Sequence, residues 1–349
     1  MFQLLLFAME SPLKLQDYCL EKICNNVETL CCDKDSRSSG SGFHLPTHLS
    51  EQFLLRLNQS KKLTDKTLLL FNENSSSLRK VDICNANITV EGLQILRQHK
   101  LLSLRVSRIK NLSVDDIIGC LNSWSLANLR HLNVSHCTFI SNTKVRAPVL
   151  VSLTKLKNVQ SLNVSNTEFN ETGLEILAQC LTSLVALDVS STSISELDTL
   201  PQFGDRLRSL TLHNLHVELN ENTAKHLLCL RNLRHIDVSS DHCIESPEHI
   251  FNRPPLDNFL QIIFLLPNLV SLDLSGQQIK YDLLKSVTRQ DFLHLVKSRL
   301  PFHYQLLNLH CRDFVESRSR LQFLGLLVTQ SSHEFEDCDF KVSQCLSSN

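Results

Sequence analysis

Leu129-Arg-His-Leu132-Asn-Val134 places apolar residues at i, i+3 and i+5 with polar residues between them. Its second half alternates with the period of two that a half-buried strand requires. The pattern L-x-x-L-x-L/V/I recurs on both sides. Ahead of it stand Leu78-Arg-Lys-Val81-Asp-Ile83 and Leu101-Leu-Ser-Leu104-Arg-Val106. After it come Val159-Gln-Ser-Leu162-Asn-Val164, Leu184-Val-Ala-Leu187-Asp-Val189 and Leu207-Arg-Ser-Leu210-Thr-Leu212. Leu233-Arg-His-Ile236-Asp-Val238, Leu269-Val-Ser-Leu272-Asp-Leu274 and Leu321-Gln-Phe-Leu324-Gly-Leu326 complete the series. The starts are separated by 23, 28, 30, 25, 23, 26, 36 and 52 residues. The first six gaps are those of leucine-rich repeats, and the last two imply insertions.

Each unit reads as a short strand followed by a helix or turn that returns the chain, as at Val90–Leu96 and Thr172–Leu177. One unit cannot cover its own apolar face, so neighbours must stack. The expected fold is α/β: a leucine-rich-repeat solenoid with a curved parallel sheet and a helical or irregular convex side. Several motifs run on as Asp/Asn-Val-Ser (Val134-Ser135, Val164-Ser165, Val189-Ser190), where the Ser side chains are expected to satisfy backbone groups leaving the strand.

A helical region is expected ahead of the repeats. Ser11-Pro12 is an N-cap followed by Pro at the first helical position, and the helix is expected to reach about Val27 or Leu30. Its Leu15, Cys19 and Ile23 lie at i, i+4 and i+8 on one face. Asp33–Gly42 reads as a flexible linker, and Pro46 opens a second helix to about Leu57 with Leu49, Phe53 and Leu57 aligned in the same way. Thr67–Phe71 reads as a further helical or strand segment. Such stripes serve either intramolecular packing, here as a cap over the first repeat, or a partner. Beyond Leu274, Asp282–Val296 is helix-like, Arg299–Arg320 is an irregular Arg-containing insertion, and the polar tail begins at Ser331. The expected domains are 11–60 (helical), 61–330 (repeats) and 331–349 (tail).

Composition narrows the classes. A net charge of −1 gives no bulk basicity for nucleic acid, and 42% hydrophobic residues supply a core. The 13 Cys have no CxxC pairing, so reduced structural thiols are expected, with no metal site and no cofactor. The opening MFQLLLFAME lacks a basic start, and no apolar run reaches membrane-spanning length, so an intracellular, cytoplasmic or nuclear chain is expected. Glycosylation sequons occur, but those at Asn133 and Asn163 fall inside expected strands. No P-loop, GxGxxG, GxSxG or HExxH is present, and the expectation is a non-enzyme. The outward strand positions carry Arg79, Arg130, His131, Arg208, Arg234 and His235 beside Asp82, Asp188, Asp237 and Asp273. They make either a protein-binding strip or a merely soluble sheet face.

The order of the N-terminal features resembles the elongin-binding box and cullin-2 box of substrate receptors for cullin–elongin ubiquitin ligases. Leu-x-x-x-Cys-x-x-x-aliphatic is matched by Leu15, Cys19 and Ile23, with Lys14 where a small or hydroxyl residue is usual. Leu45, Pro46, Leu49 and Phe53 match the cullin box. With the repeats, the chain resembles the zyg-eleven/zer-one (Zyg/Zer) family over most of residues 11–343, including Ser161–Thr167, Leu184–Ile194, Asp205–Leu212, Pro267–Gly276 and Leu321–Leu326. The resemblance implies a non-catalytic substrate receptor of a cullin-2/elongin B/C ligase that recruits proteins with N-terminal glycine degrons. Its partners would be elongin C with elongin B, cullin-2 and a protein substrate, with neither nucleic acid nor membrane. The family continues past Lys341-Val-Ser343 into an armadillo-like array holding the degron pocket, whereas this chain continues Gln344–Asn349. Either a short form that occupies the ligase without the usual substrate or a receptor that uses its concave face is expected, and no degron-binding residue is carried over. The alternatives are a generic intracellular leucine-rich-repeat scaffold and, with paired cysteines and glycans, a secreted recognition module.

Overall fold

A computed structural model describes residues 15–32, 45–109, 112–138, 152–240, 256–263, 265–274, 277 and 323–326. The helix start at Ser11-Pro12, the linker at 33–42, the segments at 282–296 and 299–320, and the tail at 331–349 lie outside the described residues. The chain divides into two compact units, one ending at Glu168 and the other beginning at Phe169.

All nine motifs form strands. In the first unit β1 (Lys80–Asp82), β2 (Ser103–Arg105), β3 (His131–Asn133) and β4 (Ser161–Asn163) pair in parallel and in chain order. In the second, β5 (Ala186–Asp188), β6 (Ser209–Thr211), β7 (His235–Asp237), β8 (Ser271–Leu274) and β9 (Phe323–Leu326) do the same. Register follows the motif, with Val81, Leu104, Leu132 and Leu162 aligned in one row and Leu187, Leu210, Ile236 and Leu272 in the other. The three apolar motif positions of the first eight repeats are at most 4% exposed, so these rows form the core of each unit. Each unit is a leucine-rich-repeat solenoid of α/β class.

The returns are short helices started by side-chain caps. Thr89, Ser113, Asn122, Asn170 and Asn220 each accept a hydrogen bond from a backbone N–H three residues on. The expected return at Val90–Leu96 is a helix over Val90–Leu93 that tightens to 3-10 geometry over Gln94–Gln98, and Thr172–Leu177 lies within a helix at Glu171–Cys180.

The turn leaving each strand differs in detail from the expected one. The outward Asp or Asn, rather than the Ser, is the acceptor: Asn133, Asn163, Asp188 and Asp237 take the N–H two residues ahead, and the Ser165, Ser190 and Ser239 hydroxyls donate to the same oxygens. Three residues after the outward position the backbone enters the left-handed region at Asn85, Arg108, His136, Asn166, Ser191 and Asn214, with φ between 51° and 57°. In five of these the N–H then donates to a carbonyl of the next repeat, as Arg108 does to Ser135 and Ser191 to His213.

The first unit begins with helices. α1 (Leu15–Asn25) is followed after Asn26 by α2 (Val27–Cys32), and α3 spans Thr47–Gln59 with Pro46 at its N-cap. The segment expected at Thr67–Phe71 is helical: Asp65–Leu68 is α-helix and Leu69–Phe71 is 3-10.

Candidate docking site

α3 is the lid of the first repeat. Ser50, Phe53, Leu54 and Leu57 are buried along it, and the Phe53 ring lies 5.3 Å from that of Phe71. Its polar side chains serve β1, whose outer edge would otherwise present unpaired backbone groups. Glu51 Oε1 accepts from the N–H groups of Arg79 (3.0 Å) and Lys80 (2.8 Å), and Asn58 Nδ2 donates to the Asp82 carbonyl (3.4 Å). His99, 2% exposed, ties the same region together. Its Nδ1 accepts from the Leu78 N–H (3.2 Å) and its Nε2–H donates to the Phe71 carbonyl (2.6 Å). Burial lowers its pKa, so it is held neutral as the Nε2–H tautomer.

α1 packs on α3 and buries Leu20 and Cys24, and Val27 at the start of α2 is buried as well. Around that apolar contact Arg56 pairs with Asp17, Gln16 Nε2 donates to Gln52 (2.6 Å), and Lys62 Nζ donates to the Cys24 carbonyl (3.2 Å). The Leu15/Cys19/Ile23 stripe takes another direction. Leu15 is 78% exposed, Cys19 is exposed, and Ile23 is half-buried where the two stripes meet. Tyr18, 50% exposed, widens the outward stripe, with the Lys22 ammonium 5.4 Å from its ring centroid. The motif reading passed over Tyr18, although its i+3 spacing from Leu15 placed it on that face.

The second stripe divides. Leu45 and Leu49 are half-buried and Pro46 is exposed, whereas Phe53 is 4% exposed and is part of the core. The structure therefore brings Leu45, Pro46 and Leu49 to the surface at the start of α3 and takes Phe53 inward.

On the sheet faces Arg79, Arg130 and His131 are exposed in the first unit, and Arg208, Arg234 and His235 in the second. The Arg208 carbonyl accepts from the N–H groups of Arg234 and His235, which puts the two arginines on adjacent rungs about 4.8 Å apart. Asp188, Asp237 and the buried Asp273 lie on the same strands.

A family model described as "Zer-1-like, Leucine-rich repeats" matches residues 175–329. The human protein zer-1 homolog is 28% identical over 60% of this chain and 26% of its own length. The Drosophila melanogaster protein zer-1 homolog is 25% identical over 92% of this chain and 40% of its own length. The match over the repeats and these relatives support the resemblance to the Zyg/Zer family. The chain spans well under half the length of these relatives, and the Drosophila match extends beyond the repeats to most of the chain. An internalin (inlF) of Listeria monocytogenes is a structural neighbour at 16% identity, covering 77% of this chain and 75% of its own, with a TM-score of 0.42.

Among the described residues no group of three or more His, Cys, Asp or Glu is gathered for a metal, and no helix is long and apolar enough to cross a membrane. Cys19, Cys24, Cys84, Cys120, Cys137, Cys180 and Cys229 are free thiols. Burial raises the thiol pKa of Cys24, Cys84 and Cys120, and pushes that of Cys137 up to about 11. These thiols are packing groups rather than nucleophiles.

Proposed function

We propose that this chain is the substrate-recognition subunit of a cullin-2/elongin B/C ubiquitin ligase. Leu15, Cys19 and Ile23, with Tyr18 beside them, dock elongin C. Leu45, Pro46 and Leu49 face cullin-2, and Phe53 fixes the angle of α3 from inside. Residues 11–60 are the docking region, 61–330 the solenoid and 331–349 a tail. The protein works inside the cell without a cofactor and is not an enzyme. Ubiquitin transfer belongs to its partners, and its own contribution is proximity, which raises the effective concentration of substrate lysines at the charged carrier. The family resemblance implies protein substrates with N-terminal glycine, and assigns none of this chain's residues to their recognition.

The observation that carries this reading is the outward stripe. α1 is anchored by Leu20 and Cys24, yet it still presents Leu15 at 78% exposure with a small Cys four residues on. A helix needed only to cover a neighbour has no use for a second apolar stripe, whereas helix-in-groove docking requires one. The test is capture of elongin B/C and cullin-2 by the wild-type chain beside Leu15→Ala/Cys19→Phe. Capture of both by wild type and of neither by the double variant is expected. Failure of well-folded wild type to bind elongin B/C would overturn the proposal.

The alternative, a generic intracellular leucine-rich-repeat scaffold, is favoured by Phe53. Its burial and the Glu51 contacts to β1 make α3 a cap with or without a cullin.

A further inference from the structure

Cations gather on the sheet face of the first unit with little acid to oppose them. The outward strand positions, together with the residue preceding each strand, carry Arg79, Lys80, Arg105, Arg130 and His131. Two carboxylates stand near them. Asp82 lies 3.4 Å from Arg105, and Glu51 is occupied by the N–H groups of Arg79 and Lys80. The fourth rung (Gln160, Ser161, Asn163) is uncharged and polar. The guanidinium groups of Arg79 and Arg130 and the Lys80 ammonium form no ion pair or side-chain hydrogen bond among the described residues. The second unit is balanced in comparison, with Arg208, Arg234 and His235 set against Asp188, Asp237 and Asp273.

Backbone hydrogen bonds fix the spacing. The Arg79 carbonyl accepts from Leu102 and Ser103, and the Leu102 carbonyl accepts from Arg130 and His131. Arg79 and Arg130 therefore stand in one column two rungs apart, about 10 Å, with Arg105 on the rung between them. An extended peptide advances about 3.3 Å per residue, so carboxylates two to four residues apart lie about 7–13 Å apart and bracket that distance. Unpaired guanidinium groups at fixed spacing form charge-assisted, bidentate contacts with carboxylates.

We propose that the sheet face of the first unit binds an extended, Asp/Glu-rich segment of a partner protein, through Arg79, Lys80 and Arg130 with Ser103 and Ser161 as neutral donors. The inference stands whether or not α1 docks elongin, because it concerns a different surface and is read by direct binding.

The experiment uses the full chain and a fluorescein-labelled ten-residue peptide alternating Glu and Ser, beside its Gln/Ser counterpart. Wild type is expected to bind the Glu peptide at least tenfold more tightly than the Gln peptide, with affinity falling as salt rises. Arg79→Glu/Arg130→Glu should abolish that preference, whereas Arg208→Glu/Arg234→Glu should retain it. Both pairs are exposed, so thermal midpoints should match wild type, and hydrogen exchange of the β2 and β3 amides checks that the face is intact. Equal binding of the two peptides, or equal loss in both charge reversals, would overturn the proposal. Tighter binding of a single-stranded RNA oligomer with the same sensitivity to Arg79→Glu/Arg130→Glu would also overturn it, in favour of a nucleic-acid surface.

Discussion

α1 and α3 carry the same i, i+4, i+8 apolar spacing and use it in opposite ways. In α3, Phe53 and Leu57 point into the core and Leu49 lies at its margin, while in α1, Leu15 and Cys19 point into solvent. The difference lies in what surrounds each stripe. Ser50 and Leu54 broaden the α3 stripe into a face wide enough to cover the first repeat, and Glu51 and Asn58 on its flanks close the backbone edge of β1. α1 has a second stripe, Leu20 and Cys24, that does its packing and leaves the first one open. The spacing of three residues identifies a helical face, and the residues around that face decide which neighbour covers it.

The largest effect should come from the core of α3. Phe53→Ala removes a ring packed against Phe71 and is expected to destabilise the first unit by about 3–5 kcal/mol. Hydrogen exchange of the α3 and β1 amides would report it, since loss of a cap exposes the first repeat before the rest. Were Phe53 instead a solvent-facing partner contact, protection would hardly change, and the contrast between the helices would collapse.

Eight of the nine motifs could be placed as buried strands because the pattern records burial directly: a residue that points inward must be apolar, and the motif repeats that demand at fixed offsets. Of the ninth, Leu321–Leu326, the described residues Phe323–Leu326 form β9. The turns were harder to read. The left-handed position is filled by Asn in three repeats but by Arg108, His136 and Ser191 in the others, so residue type gives no consistent signal there. Five of the six make a hydrogen bond to the following repeat from that position, which only the stacked solenoid supplies. The direction of the Phe53 stripe was equally hidden, because it depends on a β1 edge distant in sequence. His99 was one of many scattered histidines until folding brought Phe71 and Leu78 to its two ring nitrogens.

His99 extends the comparison to pH. Its pKa is lowered in the folded chain, so below about pH 6.5 the unfolded chain takes up more protons and stability falls. The contribution is fully present above the unfolded value and is lost as pH drops, at a rate of up to about 1.4 kcal/mol per pH unit. Protonation also removes the acceptor for the Leu78 N–H. Urea midpoints at pH 7.5 and 5.5 should therefore diverge more in wild type than in His99→Leu, which is less stable at both. An identical pH response in the two chains would remove His99 from the assembly beneath α3.

Glu51→Ala sharpens the contrast at the strand edge. It frees the Arg79 and Lys80 N–H groups and should cost about 1 kcal/mol, because water replaces part of what is lost. Glu51→Gln keeps the acceptor oxygen and should recover part of that cost. Faster exchange of those two amides in Glu51→Ala than in Glu51→Gln would assign the effect to the edge rather than to charge.

The smallest effect expected is the most discriminating. Leu15→Ala removes a side chain that is 78% exposed, so little apolar area returns to water on unfolding and the midpoint should move by no more than about 0.5 kcal/mol. Leu20→Ala, four residues before the buried Cys24, should cost about 2–5 kcal/mol, because it leaves a cavity between α1 and α3. The two substitutions are chemically identical and lie five positions apart on one helix, so a wide gap between them measures directly how far α1 divides packing from presentation. If Leu15→Ala were as costly as Leu20→Ala, the outward stripe would be covered within the chain, and a groove on a partner would have nothing left to receive.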